Sequence, residues 1–295
     1  MYTRSLTAVL LAVPLIAARG QQKVDIRMRA VPAVSVRLGG AMGTVRVIGW
    51  DRDSIALTGV LSPGSRMDGG PKSSNSLVIG MKFFVDAPDE SAVRGNRLEL
   101  RVPALARVWI KAGSADVEAS GVTGGLDLNI VGGSVKVSGA PRELIVESMD
   151  GAVAVNATPE FARLKTATGD IQIQGGGEDV SATTVSGAIR ASDGTFQRGR
   201  FESVTGPITF AGDLARRGDA RFDSHSGAIE LRLARRADVE IDASTVTGTI
   251  ENAWSSTRPG VGREGRGMEL GTSSGMSGAR VSIRSFKGNV RLVGR

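Results

Sequence analysis

The chain has 295 residues, with 40 glycines, no cysteine and a single histidine, and its formal net charge is +7. The lack of cysteine excludes disulfides, thiolate metal sites and a bacterial lipoprotein anchor. Aromatic residues make up only 4% of the chain and no run of Lys or Arg is longer than two, which argues against nucleic-acid binding.

The first predicted element is a secretory signal peptide over residues 1–20. An apolar stretch runs from Leu6 to Ala18, and the small residues before and at Gly20 suit a signal-peptidase site. A membrane anchor is the alternative, but Pro14 interrupts the stretch, which is short against the roughly 20 residues of a membrane span. We therefore expect an exported protein, periplasmic or at the cell surface, without a stable membrane span and with one β domain over residues 21–295.

Residues 21–105 are predicted to be the less regular part of this domain. Strand patterns occur at 34–38, 44–47, 54–61, 77–85 and 97–102. The stretch 62–76 is rich in Gly, Pro and Ser and has no periodicity, so we predict an exposed loop there.

A regular repeat occupies residues 106–254. Glycine returns in steps of 18 residues from Gly133 to Gly187, and later steps lengthen to 21 residues. The anchor of each unit, numbered position 0, is Gly43, Ala115, Gly133, Gly151, Gly169, Gly187, Gly206, Gly227, Gly248 or Gly288. Self-similarity at such a period predicts stacked, identical supersecondary units.

Within each unit the apolar residues fall mainly at positions −7, −5, +2 and +4, the alternation of two strands with one buried face. A corner rich in Ser, Thr, Asp and Gly lies between the two strands, and we attribute its glycine to a backbone that turns where other residues would be strained. Position −2 is mostly apolar, so we expect its side chain to point inward as well. Its members are Val131, Met149, Val185, Val204, Val246 and Phe286.

These units predict an all-β fold with little helix apart from the signal peptide. The favoured architecture is a β-solenoid of about ten coils with an 18–21-residue repeat, in which equivalent residues stack on one another. A meander of antiparallel hairpins is the alternative. A structure with Val135, Val153, Ile171 and Ile189 in one inward column supports stacking.

The pattern fails again over 255–278, where we predict a loop, with a degenerate unit around Gly275. A closing coil follows at 279–295. Its cations Lys287, Arg291 and Arg295 would lie along an open strand edge, as a soluble cap or as an edge for self-association.

No cluster of residues predicts catalysis or a bound metal or cofactor. The single His225 falls in the −2 column and is interpreted as a partly buried structural imidazole; a Ser-His-Asp site from Asp223, Ser224 and Ser226 would need neighbours in one turn to converge. The scattered aspartates are Asp116, Asp127, Asp150, Asp170 and Asp193. Only one imperfect echo of a calcium-binding repeat is present, at 175–179.

The run from Leu98 to Ala104, followed by Val108-Trp109-Ile110 and repeated Thr/Ser-x-Ser/Thr-Gly-x-Ile units, resembles a known pattern. The clearest units are 166–171, 203–208 and 224–229. Over about residues 30–294 the chain is similar to adhesin-like families of bacteria, chiefly the domain of unknown function 4097. The resemblance implies an exported, solenoid-like domain of the cell envelope and brings no catalytic residues with it.

The predicted function is that of a non-catalytic envelope or surface protein that presents a binding face to a protein or glycan. The alternative is a carbohydrate-active enzyme, a polysaccharide lyase or hydrolase, because β-helices commonly carry such sites on an outer sheet. That alternative requires paired acids, or an acid beside Arg or Lys, outward on adjacent coils. The outward positions +1 and +3 alternate between charged and inert residues and do not supply such a cluster.

Overall fold

The computed structural model describes residues 21–74, 77–86, 95–262, 265–275 and 278–295, and these residues contain no α-helix. No helix in the described part of the chain is long and apolar enough to cross a membrane. The predicted signal peptide, 1–20, lies outside the described residues, whereas the all-β prediction is confirmed. The strands are β1 (Gln22–Trp50), β2 (Ser54–Leu61), β3 (Arg66–Ser74), β4 (Leu77–Asp86), β5 (Arg97–Pro103), β6 (Arg107–Ser120), β7 (Gly125–Gly132), β8 (Ser134–Gly139), β9 (Glu143–Ser148), β10 (Ala152–Ala157), β11 (Phe161–Thr166), β12 (Ile171–Thr184), β13 (Ile189–Ser203), β14 (Ile208–Ser224), β15 (Ile229–Leu233), β16 (Val239–Thr245), β17 (Ile250–Asn252), β18 (Gly260–Val261), β19 (Met268–Ser274), β20 (Ala279–Ser285) and β21 (Val290–Gly294).

The +2 residues of successive units pair with one another in a parallel ladder. Val135 is aligned with Val153, Val153 with Ile171, and Ile171 with Ile189. Each of these side chains is at most 1% exposed, so they form one inward column. Equivalent residues therefore stack directly, as the repeat predicts, and a meander of hairpins does not describe this part of the chain.

The −5 residues form a second parallel ladder on the other side of the same core. Leu128 is aligned with Val146, Val146 with Leu164, and Leu164 with Ala182. The long strands β12, β13 and β14 contribute to both ladders. The pairings of β12 with β13 and of β13 with β14 continue through the return loops, with register shifts there.

The core widens where the repeat lengthens. Phe201 and Phe222 occupy the −5 column and stack with ring centroids 5.1 Å apart and an angle of 13°. Phe196 and Phe210 pack against this pair, and all four side chains are fully buried. Larger units are needed here because four rings fill the space that valine and leucine fill elsewhere.

The anchor glycines are required by close approach of stacked backbones rather than by a special turn conformation. Gly169, Gly187 and Gly206 have no left-handed φ, but a Cβ on any of them would overlap the carbonyl oxygen of the anchor glycine in the preceding unit. Gly133 is an exception, with a φ of +101°. The conformational explanation for the repeated glycine is therefore wrong for most units.

The unit at 279–295 does not lie at the end of the stack. β20 pairs with β14 on one side and with β16 on the other, and β21 pairs in the same way with β15 and β17. The final unit is inserted between two units that precede it in sequence. Lys287, Arg291 and Arg295 therefore do not cap an open strand edge, and that prediction is wrong.

The stack also begins out of chain order. The 44–50 part of β1 pairs with β5 on one side and with β6 on the other. β2 pairs antiparallel with β5, and the 22–29 part of β1 pairs antiparallel with β2. The strand predicted at 54–61 is confirmed, but part of the loop predicted at 62–76 is β3, antiparallel to β4.

The segment 255–278 closes the other end of the stack. β19 pairs antiparallel with β16, and the short β18 pairs antiparallel with β19. The described residues on the N-terminal side of Gly275 form the antiparallel strand β19 and not a parallel unit, so the prediction of a degenerate unit there is wrong. Antiparallel strands thus cover both ladders at the first end and the −5 ladder at the other, where the +2 ladder ends at the three-residue β17.

Candidate functional site

An apolar row runs along the outside of the corners. We call it the corner stripe and define it by position −2: Val131, Met149, Ala167, Val185, Val204, His225, Phe286 and Val246. The valines, Met149 and Phe286 are 44–56% exposed. The expectation that these side chains point inward is therefore wrong, because position −3 takes the inward place.

Backbone hydrogen bonds fix the order of the corner stripe. The N–H of Ser226 donates to the carbonyl of Val204, the N–H of Lys287 to that of His225, and the N–H of Thr247 to that of Phe286. The same link joins every neighbouring pair from Val131 onward. At about 4.8 Å for each step the row is about 34 Å long.

Buried hydroxyl groups lie beneath the stripe at position −3, in Ser148, Thr166, Thr184, Ser203, Ser224, Ser285 and Thr245. Several bond the corner backbone: the Ser224 hydroxyl donates to the carbonyl of Gly227 over 2.8 Å, and the N–H of Gly187 donates to Thr184 over 3.1 Å. The hydroxyls of Ser203 and Ser285 bond to no other residue in the described part of the chain. The other members of the row secure the corners.

A groove of about 600 Å³ separates the stripe from the outward residues at position −4. Glu202, Asp223 and Arg284 stand next to one another in this row, on three adjacent strands. Burial raises the pKa of the Asp223 carboxyl, the charge of Glu202 raises it further, and nearby arginines oppose both. Glu202 itself pairs with Arg200 over 2.6 Å.

The only histidine of the chain is exposed rather than partly buried, so that interpretation is wrong. The ring of His225 stacks on Phe286 with centroids 5.1 Å apart and an angle of 14°. Ser224 and Ser226 instead donate to backbone carbonyls, and no hydrogen bond in the described residues joins His225 to them or to Asp223. The structure does not bring these residues together as a catalytic triad.

The outward aspartates at position +1 link neighbouring units. Asp116 accepts a hydrogen bond from the N–H of Ser134 over 3.0 Å, and Asp170 accepts one from Ala188 over 2.8 Å. The bond from Ala188, together with that from Arg190, lowers the pKa of Asp170. Each of these carboxylates links its own unit to the next one. They do not point at a common site.

The other predicted candidates lie apart from one another. Within the described residues no group of three or more His, Asp or Glu side chains could hold a metal ion. The glycines at 175–177 have positive φ values and lie where β12 bulges against β13. These glycines therefore allow the backbone conformation of the bulge, and nothing in their geometry indicates a calcium site.

Sequence reasoning missed the acidic pair at position −4. The outward positions +1 and +3 lie on the other face. In sequence order the −4 column puts Glu202 and Asp223 in neighbouring units but gives Ser244 as the next member, and Arg284 adjoins Asp223 only because the last unit is inserted.

An all-β fold whose parallel ladders stack repeated units defines the class of this protein. The chain belongs to the DUF4097 family, as the resemblance predicted: the model described as Toastrack DUF4097 matches residues 70–292. No curated protein matches the chain.

Two solved structures are similar to the chain. A "putative adhesin" from Bacteroides fragilis is 14% identical, with a TM-score of 0.39, over 94% of this chain and 98% of that one. A "putative cell adhesion protein" from Clostridium sporogenes is 9% identical, with a TM-score of 0.25, over 93% of this chain and 100% of that one.

Proposed function

We propose that this protein is an exported, non-catalytic protein of the cell envelope or surface. Its stacked units form a β-solenoid of about ten coils that presents the corner stripe to a protein or glycan partner. The carrying observation is the stripe itself, a continuous row of side chains that are apolar except for His225 and largely half-exposed, held on a hydrogen-bonded scaffold.

Single exposed apolar residues are ordinary on protein surfaces, but a contiguous row of them is typical of interaction sites. The hydrogen-bonded ladder beneath the stripe holds its side chains in fixed positions, so little conformational entropy is lost when a partner covers them. The stacked rings of His225 and Phe286 add an aromatic centre, the kind of residue that contributes most to binding energy.

Binding can be tested with the double variant Val204→Ser, Phe286→Ser in pull-down and glycan-array experiments against envelope fractions. We expect partner capture to fall by at least about tenfold, because the aromatic centre and its neighbour become polar. The matched control is Leu105→Ser, since Leu105 is 55% exposed but lies outside the stripe. Equal capture by the wild type and the double variant would count against this surface.

Export is tested separately, by expressing the full chain with a C-terminal tag and measuring its mass in cell fractions. We expect an exported product that begins near Gln21. An unprocessed chain retained in the cytoplasm would refute the exported location and leave the binding surface to be judged on its own experiment.

A carbohydrate-active enzyme is the second candidate, favoured by the outward pair of Glu202 and Asp223 beside Arg284. A carboxyl whose pKa is raised can act as a general acid, and an arginine can stabilise an acidic substrate. Depolymerase assays on acidic and neutral polysaccharides separate the two proposals. Non-catalytic binding predicts no turnover, whereas turnover that Asp223→Asn abolishes would establish the enzyme.

A further inference from the structure

A second cleft lies near the first units of the stack, on the outward side of β4, β1, β6 and β7. One row of outward residues across these strands is Lys82, Arg37, Trp109 and Asp127, and the parallel row is Phe84, Gly39, Lys111 and Asn129. The cleft they border has a volume of about 430 Å³. This is within the size range of sites for small ligands.

Gly39 leaves room for the ring of Phe84, which lies over its backbone. A Cβ on Gly39 would lie 3.0 Å from Cδ2 of Phe84, a residue that is 50% exposed at the edge of the cleft. Trp109 stands on the neighbouring strand, with the guanidinium carbon of Arg37 5.1 Å from the centre of its ring. Two aromatic side chains therefore border the cleft, and one of them is seated on a glycine.

The charge of the cleft is positive, with three cations against one carboxylate. Arg37, Lys82 and Lys111 make no ion pair with any residue that the structure describes, whereas several outward cations farther along the stack do, among them Lys165, Arg190, Arg198 and Arg200. The single carboxylate is that of Asp127, whose pKa is raised by burial and then by the charges of Glu147 and Glu143. An anionic ligand would neutralise the three cations.

We propose that this cleft binds an acidic saccharide, a sugar ring that carries a carboxylate. The cations suit the carboxylate, while Phe84 and Trp109 provide apolar surface for the ring. Asp127 and the side-chain carbonyl of Asn129 can accept hydrogen bonds from the hydroxyl groups of the sugar, while the amide nitrogen of Asn129 donates to Glu147 over 3.2 Å. The cleft is separate from the corner stripe, so this proposal does not rest on the function proposed above.

Calorimetry on the full chain tests the proposal with galacturonic acid, short galacturonate oligomers, galactose and inorganic phosphate as probes. We expect binding of the uronate and its oligomers, no heat with galactose at about 20 mM, and no competition from phosphate at that concentration. Tighter binding of the oligomer than of the monomer would identify a polymer as the source of the sugar.

Lys111→Glu should weaken uronate binding by about tenfold or more, because it reverses one of the three charges. Gly39→Ala should weaken it as well, because the added methyl group would push the ring of Phe84 out of its place in the cleft. The matched control is Arg163→Glu: Arg163 lies over Phe161 at 5.7 Å, a similar aromatic and cationic pair outside the cleft. Equal loss in the control, equal binding of galactose, or no uronate binding by a folded wild-type chain would overturn the proposal.

Discussion

Stacking distance decides which residues the corners tolerate. At the anchor position the carbonyl of one glycine faces the Cα of the next, which leaves no room for a side chain. The repeated glycine is therefore a packing requirement between units, comparable to the small residues found wherever two backbones approach closely.

Substitution of a central anchor should therefore be costly. Gly169→Ala places a methyl group against the carbonyl of Gly151, and we expect a loss of about 2 kcal/mol in the free energy of unfolding. Gly132→Ala is the control, because nothing lies within 4 Å of its added Cβ. Urea denaturation measures both variants, and equal stability of the two would contradict the packing explanation.

The raised pKa of Asp223 makes its effect on stability depend on pH. Because the carboxyl has a higher pKa in the folded chain than its ordinary value of 3.8, the folded state binds the proton more tightly, and stability falls as pH rises from 3.8 through the folded pKa. We expect Asp223→Asn to stabilise the protein at neutral pH.

The gain should disappear below pH 3.8, where the carboxyl is protonated in both states. Thermal unfolding across this range measures the difference between wild type and variant. A variant that is less stable than the wild type at neutral pH would show that the carboxylate is stabilised in the fold, the opposite of what its surroundings indicate.

At the scale of elements, the inserted last unit behaves as an internal one. Val290 lies between Ile229 and Ile250 in the ladder and is 1% exposed. Arg291 likewise approaches Glu230 and Glu251 on its two sides, at 3.8 and 3.7 Å. These exposed ion pairs add little energy, so the buried column and the backbone ladder hold the unit.

Hydrogen exchange should show this arrangement directly. We expect the amides of β20 and β21 to exchange as slowly as those of β14, although they lie at the C-terminus, because they are paired on both sides. The amides of β17, which is paired on one side by β21, are the internal comparison. Fast exchange of β20 and β21, typical of a frayed terminus, would contradict the insertion.

The elements were predictable where the repeat is regular, because the +2 and −5 columns record burial directly. The side on which Val204 or Phe286 lies could not be read from its apolar character, since the inward place at the corner was taken by Ser203 or Ser285. The stacking order of the last units could not be predicted either. The Gly248 and Gly288 units carry the same pattern, so the sequence allows either of them to lie next to the Gly227 unit. The cleft at Gly39 could not be predicted because it is formed by β4, β1 and β6, which are adjacent in the sheet but not consecutive in the sequence.

For the whole molecule, the exposed ends of the ladders decide whether copies associate. At one end the outermost strands carry the charged run of β1 and Pro71 of β3, features that discourage strand pairing. At the other end β19 covers β16, and the strand β17, whose only pairing among the described residues is with β21, is three residues long, too short to invite pairing. We therefore expect the wild-type chain to be monomeric.

Displacing β19 should cause the monomer to self-associate. Leu270 is 3% exposed, and Leu270→Asp puts a charge into the core, so β19 should detach and expose β16 for pairing with another copy. Sedimentation velocity at several concentrations measures the result. Gly271→Ala is the control in the same strand, because its Cβ makes only an ordinary contact of 3.7 Å with Asp242. A folded, monomeric Leu270→Asp variant would contradict this role of β19.

The insertion of the last unit also constrains how the chain can acquire its structure. The unit formed by β16 and β17 joins the parallel ladders only through β20 and β21, although β19 also pairs with β16. A nascent chain can stack its central units as they emerge, but residues from Val239 onward must wait for β20 and β21 before they join the ladders. Docking of this unit is thereby tied to a segment that emerges after it.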